Sequence, residues 1–468
     1  MVKQPYRVER DTMGEVRIPV ESYYGAETQR AIENFGISQL RFQPIFIRNL
    51  ALVKLASAKA NMKLGLLDEK TGKAITTAAE SIWKGEFYDE FPLDIFQTGS
   101  GTSTNMNMNE VISNLATRQL GGKLGDRTIV HPNDHVNLGQ STNDVFPTTI
   151  NLAAAVTTQI NLLPNLRDLH QAFKEKAAEF RDVIKGGRTH WQDAVPITLG
   201  QEFGGYASTI LHGIRRIEEA ELGLRELPLG GTAVGTGLNT HPEFSEAAIR
   251  ELSKLSGIAF HKAENSFEAL QGRGACVELS GALKGLSTDL DKIANDLRIL
   301  SSGPLTGLGE IELPALQPGS SIMPGKVNPV IPEAVRMVSS RVIGNDVTIT
   351  LAEKGGEMEL NVMMPIIAYC LLESIELMSE AAKVFAERCV KGIRANVEKC
   401  LTHAQNSAAL VTAVSPLVGY DAAAKAIVDA KAQGKTVRRV LEDSGMATKE
   451  QLDRALDLRR MTRGGRST

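Results

Sequence analysis

Residues 279–300 have the sequence LSGALKGLSTDLDKIANDLRIL, in which apolar side chains recur in alternating steps of four and three residues. An α-helix completes one turn in about 3.6 residues, so this spacing places the apolar side chains on one face. The segment therefore predicts a long amphipathic helix that buries this face against neighbouring helices. The residues on the face are Leu279, Leu283, Leu286, Leu290, Ile293, Leu297 and Leu300.

Two further segments repeat this spacing. One carries Ile367, Leu371, Ile375, Met378, Ala382, Phe385 and Cys389, and the other carries Leu152, Val156, Ile160, Leu163, Leu166, Leu169 and Phe173. Helices of this length exceed the average of about 11–12 residues and are typical of bundles within or between subunits. Strand signals are sparse, since aromatic residues make up 5% and the main β-branched run is Glu15–Val20. We predict a mainly α, homo-oligomeric protein.

Apolar residues make up 42% and charged residues 23% of the 468 residues, as in globular proteins. Single cores stop growing at about 250–300 residues, so several domains are expected.

The net charge of −3 provides no strong positive field to attract nucleic acid. No run approaches about 18 apolar residues, and residues 1–15 lack the apolar core of a secretory signal. We expect a cytoplasmic protein that binds neither nucleic acid nor membranes.

The cysteines and histidines carry no pattern of a metal site. Cys276, Cys370, Cys389 and Cys400 are scattered without C-x-x-C spacing, and the eight histidines form no H-E-x-x-H or H-x-H pair. The cysteines are therefore interpreted as structural thiols, and no metal is expected.

Glycine-rich polar stretches separate the predicted helices, and binding sites are often built in such linkers. They are Gln97–Asn109, His131–Asp144, Gly186–Gln192, Leu229–His241 and Gly303–Asn328. A change of composition near Asn396 leads into a shorter, charged C-terminal segment.

The segment GSSIMPGKVN, Gly319–Asn328, concentrates hydroxyls, a Pro-Gly turn, a cation and an amide. Lys326 and Asn328 offer a positive charge and N–H donors to a carboxylate or an enolate-like oxyanion. A serine acts as a base only where N–H groups or a cation stabilise its alkoxide, and the choice between Ser320 and Ser321 stays open. The alternative is a solvated connector with a turn-capping hydroxyl.

Two other segments place hydroxyls and amides directly before predicted helices. They are QTGSGTSTNMNMNE from Gln97 and QSTND from Gln140. The N-terminus of a helix attracts anions, so both segments are candidates for binding a carboxylate. The phosphate-loop pattern G-x-x-x-x-G-K-[ST] is absent, and plain helix capping is the alternative for both.

The segment GRTHWQD, Gly187–Asp193, carries His190 in a polar loop, where an imidazole can transfer protons near neutral pH. A structural histidine is the alternative. Glu333, seven residues after Lys326, is a candidate carboxylate partner. LGGTAVGTGLNTH, from Leu229, suits close packing against a ligand or a subunit, but it lacks the strand and the complete G-x-G-x-x-G of a dinucleotide site.

Five segments together resemble the class II fumarases of the fumarase/aspartase superfamily: GSSIMPGKVN, TGSGTSTNMNMNE, HPNDHVN, GRTHWQDAVPITLGQE and LGGTAVGTGLNTHPEF. The resemblance spans nearly the whole chain. It implies a mainly α, three-domain fold whose central helices join four subunits in a twenty-helix core, with each active site drawn from three subunits. We place the domains at 1–139 (N-terminal), 140–396 (central helix bundle) and 397–468 (small C-terminal).

The resemblance implies a cofactor-free fumarate hydratase. Ser320 would remove the C3 proton of malate, giving an aci-carboxylate stabilised near Lys326 and Asn328. His190, oriented by Glu333, would manage the proton of the leaving or attacking water. Ser100, Thr102 and Asn143 would hold that water or the substrate, while Ser141, Thr142 and Thr189 would complete the grip on the carboxylates.

Class II fumarases also resemble one another in a second anion site, which corresponds to His131, Asn133 and Asp134. The basic residue usual shortly before this histidine is replaced by Thr128, with Arg127 beside it. The resemblance thus implies a second anion site without its usual basic residue.

Two alternatives remain at the level of the sequence. The segments PVIPEAV and LNVMMP, after Asn328, look somewhat like aspartate ammonia-lyases, although the glycine-containing motifs at Thr98 and Gly230 look like fumarases. A non-catalytic helical scaffold is a remote alternative, because lyases of this superfamily have been reused as structural proteins. Loss of Ser320, His190 or Lys326 would favour a scaffold, and all three are present.

Overall fold

A computed structural model describes residues 5–465, which fold mainly into α-helices. The helices of this part of the chain are α1 Ala26–Asn34, α2 Pro44–Lys63, α3 Glu69–Lys84, α4 Thr102–Gln119, α5 Thr142–Thr157, α6 Leu163–Glu179, α7 Leu199–Glu221, α8 Phe244–Ser256, α9 Ser266–Gln271, α10 Gly274–Leu300, α11 Val330–Glu353, α12 Met364–Arg388, α13 Val397–Asn406, α14 Val411–Val418, α15 Tyr420–Gln433, α16 Val437–Asp443, α17 Lys449–Ala455 and α18 Leu458–Met461. The predicted mainly α class is confirmed.

The strands of the described residues are short and pair two by two. They are β1 Tyr6–Asp11, β2 Gly14–Pro19, β3 Ile184–Thr189, β4 Gln192–Thr198, β5 Glu226–Leu227, β6 His261–Lys262, β7 Ile311–Glu312, β8 Gly356–Glu357, β9 Leu360–Asn361 and β10 Arg394–Ala395. β2 covers most of the β-branched run predicted near the N-terminus and pairs with β1 as an antiparallel hairpin.

Two of the predicted long helices are confirmed with their buried faces. The segment that begins at Leu279 lies within α10, and each residue of its apolar face is at most 4% exposed. The second run lies in α12, apart from Cys389, which directly follows the helix, and all its members are buried. The four-and-three spacing thus identified the core-facing side of both helices.

The third predicted helix is interrupted. A π-helical turn, Thr158–Leu162, joins α5 to α6. A π turn holds more residues than an α turn, so it shifts the side chains that follow around the helix axis. Ile160 is 60% exposed, contrary to the predicted stripe, and Leu162 is buried. The prediction of Ile160 as a core residue was wrong for this reason.

The chain divides into two compact units by its internal contacts. The first unit comprises Met1–Pro164, Gly213–Ser287 and Ser340–Ser379, and the second comprises Asn165–His212, Thr288–Ser339 and Glu380–Thr468. Every boundary falls inside one of the long helices α6, α7, α10, α11 and α12. The division into three consecutive domains is not tested by these units and stays a prediction.

In the first unit, α2 packs against α3, α5 and α8 and is buried on almost every side. In the second unit, the β3–β4 hairpin packs on α13, which begins where the composition changes near Asn396. A separate apolar cluster in the second unit consists of side chains from the four helices α14, α15, α16 and α17. Of the helices in the described residues, none is long and apolar enough to span a membrane.

The cysteines are free and buried, which confirms their interpretation as structural thiols. Burial raises the pKa of Cys276 to about 11 and that of Cys389 to about 12. Thiols with raised pKa values are poor nucleophiles at neutral pH.

Candidate active site

The segment Gly319–Asn328, in the second unit, closes into a ring. Gly319 N–H donates to the Lys326 carbonyl at 2.8 Å, and Asn328 Nδ2 donates to the Gly319 carbonyl at 2.7 Å. A Cβ at position 319 would lie 2.5 Å from the Lys326 oxygen, so this closure requires glycine. One N–H of the Asn328 amide thus fixes the loop, and no hydrogen bond within residues 5–465 engages the other.

The two serines of this ring differ in their contacts. The N–H groups of Ile322 and Met323 donate to Ser320 Oγ at 3.2 and 3.0 Å. Ser321 is exposed, and its hydroxyl makes no hydrogen bond within residues 5–465. Donors directed at an oxygen favour its anionic form, although the same contacts also occur in ordinary serine turns. The geometry therefore favours Ser320 over Ser321 as the base.

Lys326 and Glu333 lie on consecutive parts of the chain, the ring and the helix α11 that follows it. Lys326 is exposed in the ring, and Glu333 lies half-buried in the first turn of α11. Within residues 5–465, no ion pair engages either side chain. The Lys326 ammonium is thus free to meet an anionic ligand.

His190 lies at the tip of a hairpin rather than in an irregular linker. β3 and β4 are antiparallel, and Thr189 pairs with Gln192, which leaves His190 and Trp191 as a two-residue turn. Both turn residues have positive φ angles, 54° and 61°. For residues other than glycine this conformation costs about 1–2 kcal/mol each, and such strain is often found at functional sites. The prediction of Gly186–Gln192 as a linker was wrong except at this turn.

The buried carboxylate of Glu310 anchors this hairpin within the second unit. Arg188 donates to its two oxygens at 3.0 and 2.7 Å, and His403 Nδ1 lies 2.9 Å from Oε1. Lys185 Nζ lies 3.1 Å from Oε2. Burial by itself would raise the pKa of Glu310, but the Arg188 hydrogen bonds and the Lys185 charge hold it below its ordinary value. Arg188, two residues before His190, is thereby held in place.

The first hydroxyl-rich segment lies in the first unit and ends in α4. Gln97 Oε1 accepts from the Thr104 N–H at 3.0 Å and from its hydroxyl at 2.9 Å, which caps the first turn of the helix. The helix therefore begins at Thr102, and the predicted linker Gln97–Asn109 was wrong beyond Gly101. The asparagines of this segment are buried on the helix instead.

Ser100 and Thr102 lie together at the N-terminus of α4. Their hydroxyl oxygens are 2.8 Å apart. The neighbouring Gly99 is pressed against the Val362 carbonyl, where a Cβ would lie 1.8 Å from the oxygen. The helix N-terminus contributes a partial positive charge, which favours an anion beside these hydroxyls.

The second hydroxyl-rich segment caps α5, as predicted for Ser141. Ser141 Oγ accepts from the Asn143 N–H at 3.2 Å, and the Asp144 carboxylate accepts from the Ser141 N–H at 3.0 Å. Asn105 Nδ2 of α4 donates to Thr142 Oγ1 at 2.9 Å and so links the two helix N-termini. The two predicted carboxylate-binding segments of the first unit are thus joined.

The glycine-rich segment Leu229–His241 packs on the N-terminus of α5. Asn143 Nδ2 donates to the Ala233 carbonyl at 2.8 Å. The Asp144 carboxylate accepts from the N–H groups of Gly230 and Thr232 at 2.9 and 2.8 Å. The segment therefore supports the candidate site through backbone contacts.

In the predicted second anion site, the His131 imidazole bonds the backbone of the other two residues. His131 Nδ1 accepts from the N–H groups of Asn133 and Asp134 at 3.2 and 3.1 Å. Arg127 is directed to the carboxylate of Glu110, at 3.5 Å, and Thr128 bonds Asp126. The guanidinium that could have replaced the missing basic residue is therefore engaged elsewhere.

The predicted residues fall into two groups. Within the second unit, no hydrogen bond or ion pair joins His190 to Glu333 or to Ser320. The group in the first unit is Ser100, Thr102, Ser141, Thr142, Asn143, His131, Asn133 and Asp134, and the group in the second unit is Thr189, His190, Ser320, Lys326, Asn328 and Glu333.

Three supporting side chains were missed from the sequence: Lys54, Asp144 and Glu310. Asp144 lay within the quoted QSTND segment, where its position three residues after Ser141 is the signal of a capping box. Glu310 stands between glycine and an apolar residue, which is a weak signal of burial. Among residues 5–465, no group of three or more His, Cys, Asp or Glu side chains is arranged to hold a metal ion.

The chain belongs to a family of lyases. The Lyase family matches residues 14–344, and the family described as Fumarase C C-terminus matches residues 410–463. The chain belongs to the class II fumarate hydratases within this lyase family. Fumarate hydratases are carbon–oxygen lyases that interconvert fumarate and L-malate, a step of the tricarboxylic acid cycle.

Similar proteins cover nearly the whole chain. The class II fumarate hydratase of Nitrosomonas europaea is 50% identical over 457 residues, covering 98% of this chain and 99% of the relative. That of Neisseria meningitidis is 50% identical and covers 96% and 97%. These relatives support a fumarase and not the aspartase alternative.

Two solved structures share the fold. The recombinant class II fumarase of Schistosoma mansoni has a TM-score of 0.95 and 41% identity, covering 98% of this chain and 99% of that one. The fumarate lyase:delta crystallin of Brucella melitensis bound to cobalt has a TM-score of 0.94 and 48% identity, covering 98% and 100%. The predicted fumarase-like fold is confirmed.

Proposed function

We propose that this chain hydrates fumarate to L-malate in the cytoplasm by anti addition, and catalyses the reverse elimination, through an aci-carboxylate intermediate. The observation that carries this proposal is the ring Gly319–Asn328, in which Ser320 Oγ accepts from two backbone N–H groups. The same ring carries Lys326, whose ammonium forms no ion pair within residues 5–465. Such a ring offers a base and a stabiliser of negative charge together.

In the elimination, the alkoxide of Ser320 takes the C3 proton of malate. The electron pair of the broken C–H bond moves into the neighbouring carboxylate, and Lys326 and Asn328 stabilise the added charge. His190, oriented by Glu333, then donates a proton to the C2 hydroxyl, which leaves as water. The hydration follows these steps in reverse.

The substrate carboxylates and the water occupy the hydroxyl-rich helix ends. Ser100, Thr102 and Asn143 hold the water or the substrate, and Ser141, Thr142 and Thr189 complete the grip. Support comes from the hydrogen bond between Asn105 and Thr142, which joins the N-termini of α4 and α5. Two helix N-termini together attract a dianion more strongly than one.

The proposal includes a homotetramer in which three subunits build each active site, and a three-domain chain. The helix α11 carries an exposed apolar stripe, formed by Ile343, Val347 and Leu351 at intervals of four residues. Exposed apolar stripes of this kind are typical of surfaces that bind another protein chain. The absence of a hydrogen bond between His190 and Glu333 within the second unit agrees with a pairing between subunits.

Substrate comparison tests the function directly. Purified protein without added metal or nucleotide is expected to interconvert malate and fumarate, which is followed by the ultraviolet absorbance of the double bond. Under the same conditions aspartate is expected to yield no fumarate. Release of fumarate from aspartate alone would contradict hydration and establish ammonia elimination.

Replacement of Lys326 by methionine is expected to lower kcat/KM for malate by about 100-fold. This corresponds to the roughly 3 kcal/mol typical of a lost oxyanion donor. The exposed side chain forms no ion pair among residues 5–465, so the melting temperature should hardly change. A variant with unchanged kinetics would remove Lys326 from the site.

A further inference from the structure

Lys54 is a buried cation that the proposed chemistry does not use. It lies on α2 in the first unit and is 0% exposed. Its ammonium donates to Asn137 Oδ1 at 2.8 Å and to Gln140 Oε1 at 3.0 Å. Among the described residues no carboxylate forms an ion pair with it, and a charge buried on neutral amides is costly. A role beyond packing would account for its presence.

The two amides connect Lys54 to the candidate site. Gln140 directly precedes Ser141, the cap of α5. Asn137 Oδ1 also accepts from Asn105 Nδ2 at 3.4 Å, and the same nitrogen donates to Thr142 Oγ1 at 2.9 Å. The ammonium therefore orients the side chains behind two predicted carboxylate-binding residues.

Asp144 creates an electrostatic conflict at this end of α5. Its buried carboxylate lies in the first turn, where a negative charge opposes the binding of a second anion. Burial raises the pKa of Asp144 to about 6, although its backbone hydrogen bonds and Lys54 lower it. At neutral pH the group is thus mostly ionised beside the place where a substrate carboxylate must bind.

We propose that Lys54 is a positioning residue of the dicarboxylate site. It offsets the charge of Asp144 and fixes the amides of Asn137 and Gln140, so that Ser141, Thr142 and Asn143 can bind a substrate carboxylate. The proposal rests on the carboxylate-binding role given to these three residues above.

The charge of Lys54 depends on pH. Burial lowers its pKa to about 7, and the attraction of Asp144 opposes the decrease. Among the elements that pack on α2, α5 contributes Asp144, and α4 contributes the buried Glu110, whose carboxylate accepts hydrogen bonds from Gly25, Glu27 and Thr28. The remaining charged side chains of α3, α4 and α8 are exposed or half-exposed. As the pH rises through 7, Lys54 loses its proton while Asp144 stays ionised. Dicarboxylate binding should therefore weaken above pH 7.

Lys54→Met tests the proposal, because methionine retains an unbranched stem without the charge. At pH 6.5 we expect KM for fumarate to rise about tenfold, with kcat changed far less. A tenfold change is the typical effect of a charge at a partly buried helix end. Between pH 6.5 and 8 the KM of the unaltered protein should rise toward that of the variant. Lys54→Arg, charged throughout, should remove this rise.

A double variant separates charge compensation from a merely structural role. In Lys54→Met with Asp144→Asn, no unbalanced charge remains. The amide keeps one of the two acceptor oxygens that bond Ser141, Gly230 and Thr232, so KM should fall clearly below that of Lys54→Met without reaching that of the unaltered protein. A double variant as impaired as Lys54→Met, or a Lys54→Met variant with unchanged KM, would overturn the proposal. Circular dichroism verifies that each variant is folded. If Lys54→Met does not fold, the KM of the double variant is compared with that of the unaltered protein instead.

Calorimetric titration with succinate measures dicarboxylate binding without turnover. The same order of affinities is expected as for KM: weakest for Lys54→Met and stronger in the double variant. If the unaltered protein binds succinate but does not hydrate fumarate, the proposed function fails while the positioning role of Lys54 is still decided by the binding series. Equal succinate affinity in all variants would refute that role.

Discussion

Ser320→Ala is expected to lower kcat for malate dehydration by about 10³-fold, within the range typical of a lost general base. The hydroxyl lies on a loop and accepts two backbone N–H groups at 3.2 and 3.0 Å, so its loss removes the base but no core contact. KM should change little, because proton abstraction contributes in the transition state and not in the bound ground state. Steady-state kinetics and thermal unfolding of the same sample test both statements.

Ser321→Ala is the matched control for this variant. It removes the neighbouring hydroxyl, which is exposed and has no hydrogen bond within residues 5–465. We expect its kcat to stay within about twofold of the unaltered protein, as for an ordinary surface substitution. A large loss in Ser321→Ala together with normal turnover in Ser320→Ala would move the base to Ser321.

The helices of the core were predictable because burial leaves a local signal. An apolar face repeated every three or four residues can be recognised without knowing its neighbours, as for α10 and α12. The apolar periodicity gave a wrong prediction at Ile160, because no local sequence pattern indicates the π turn Thr158–Leu162. Such a turn depends on the packing of the helix and not on local propensity.

The candidate site was predictable only where its residues are close in sequence. Hydroxyls, glycines and amides are concentrated around Ser100, Ser141 and Ser320, so each segment could be recognised by itself. The support from Glu310 to Arg188 spans 122 residues, and a lysine in the apolar run of α2 gives no sign of its partners. The positive φ angle of His190 likewise depends on the hairpin around it.

Mixing two inactive variants is expected to restore activity, if the active site is shared between subunits as proposed. On the proposed mechanism, Ser320→Ala and His190→Asn would each inactivate every site of a tetramer built from that variant alone. After joint unfolding and refolding, a site that takes Ser320 from one chain and His190 from another is intact in roughly a quarter of cases with random assembly. Before mixing, each variant should show a residual activity about 10³-fold below that of the unaltered protein. After mixing, activity should rise to roughly a quarter of that of the unaltered protein.

This gain distinguishes shared sites from sites contained in one chain. Were Ser320 and His190 of the same chain to act together, every site in a mixture would carry one of the two defects and activity would stay at the residual level. The observation behind the expectation is that no hydrogen bond joins His190 to Ser320 or Glu333 within the second unit. Each variant unfolded and refolded alone supplies the control, because recovery there would reflect refolding and not complementation.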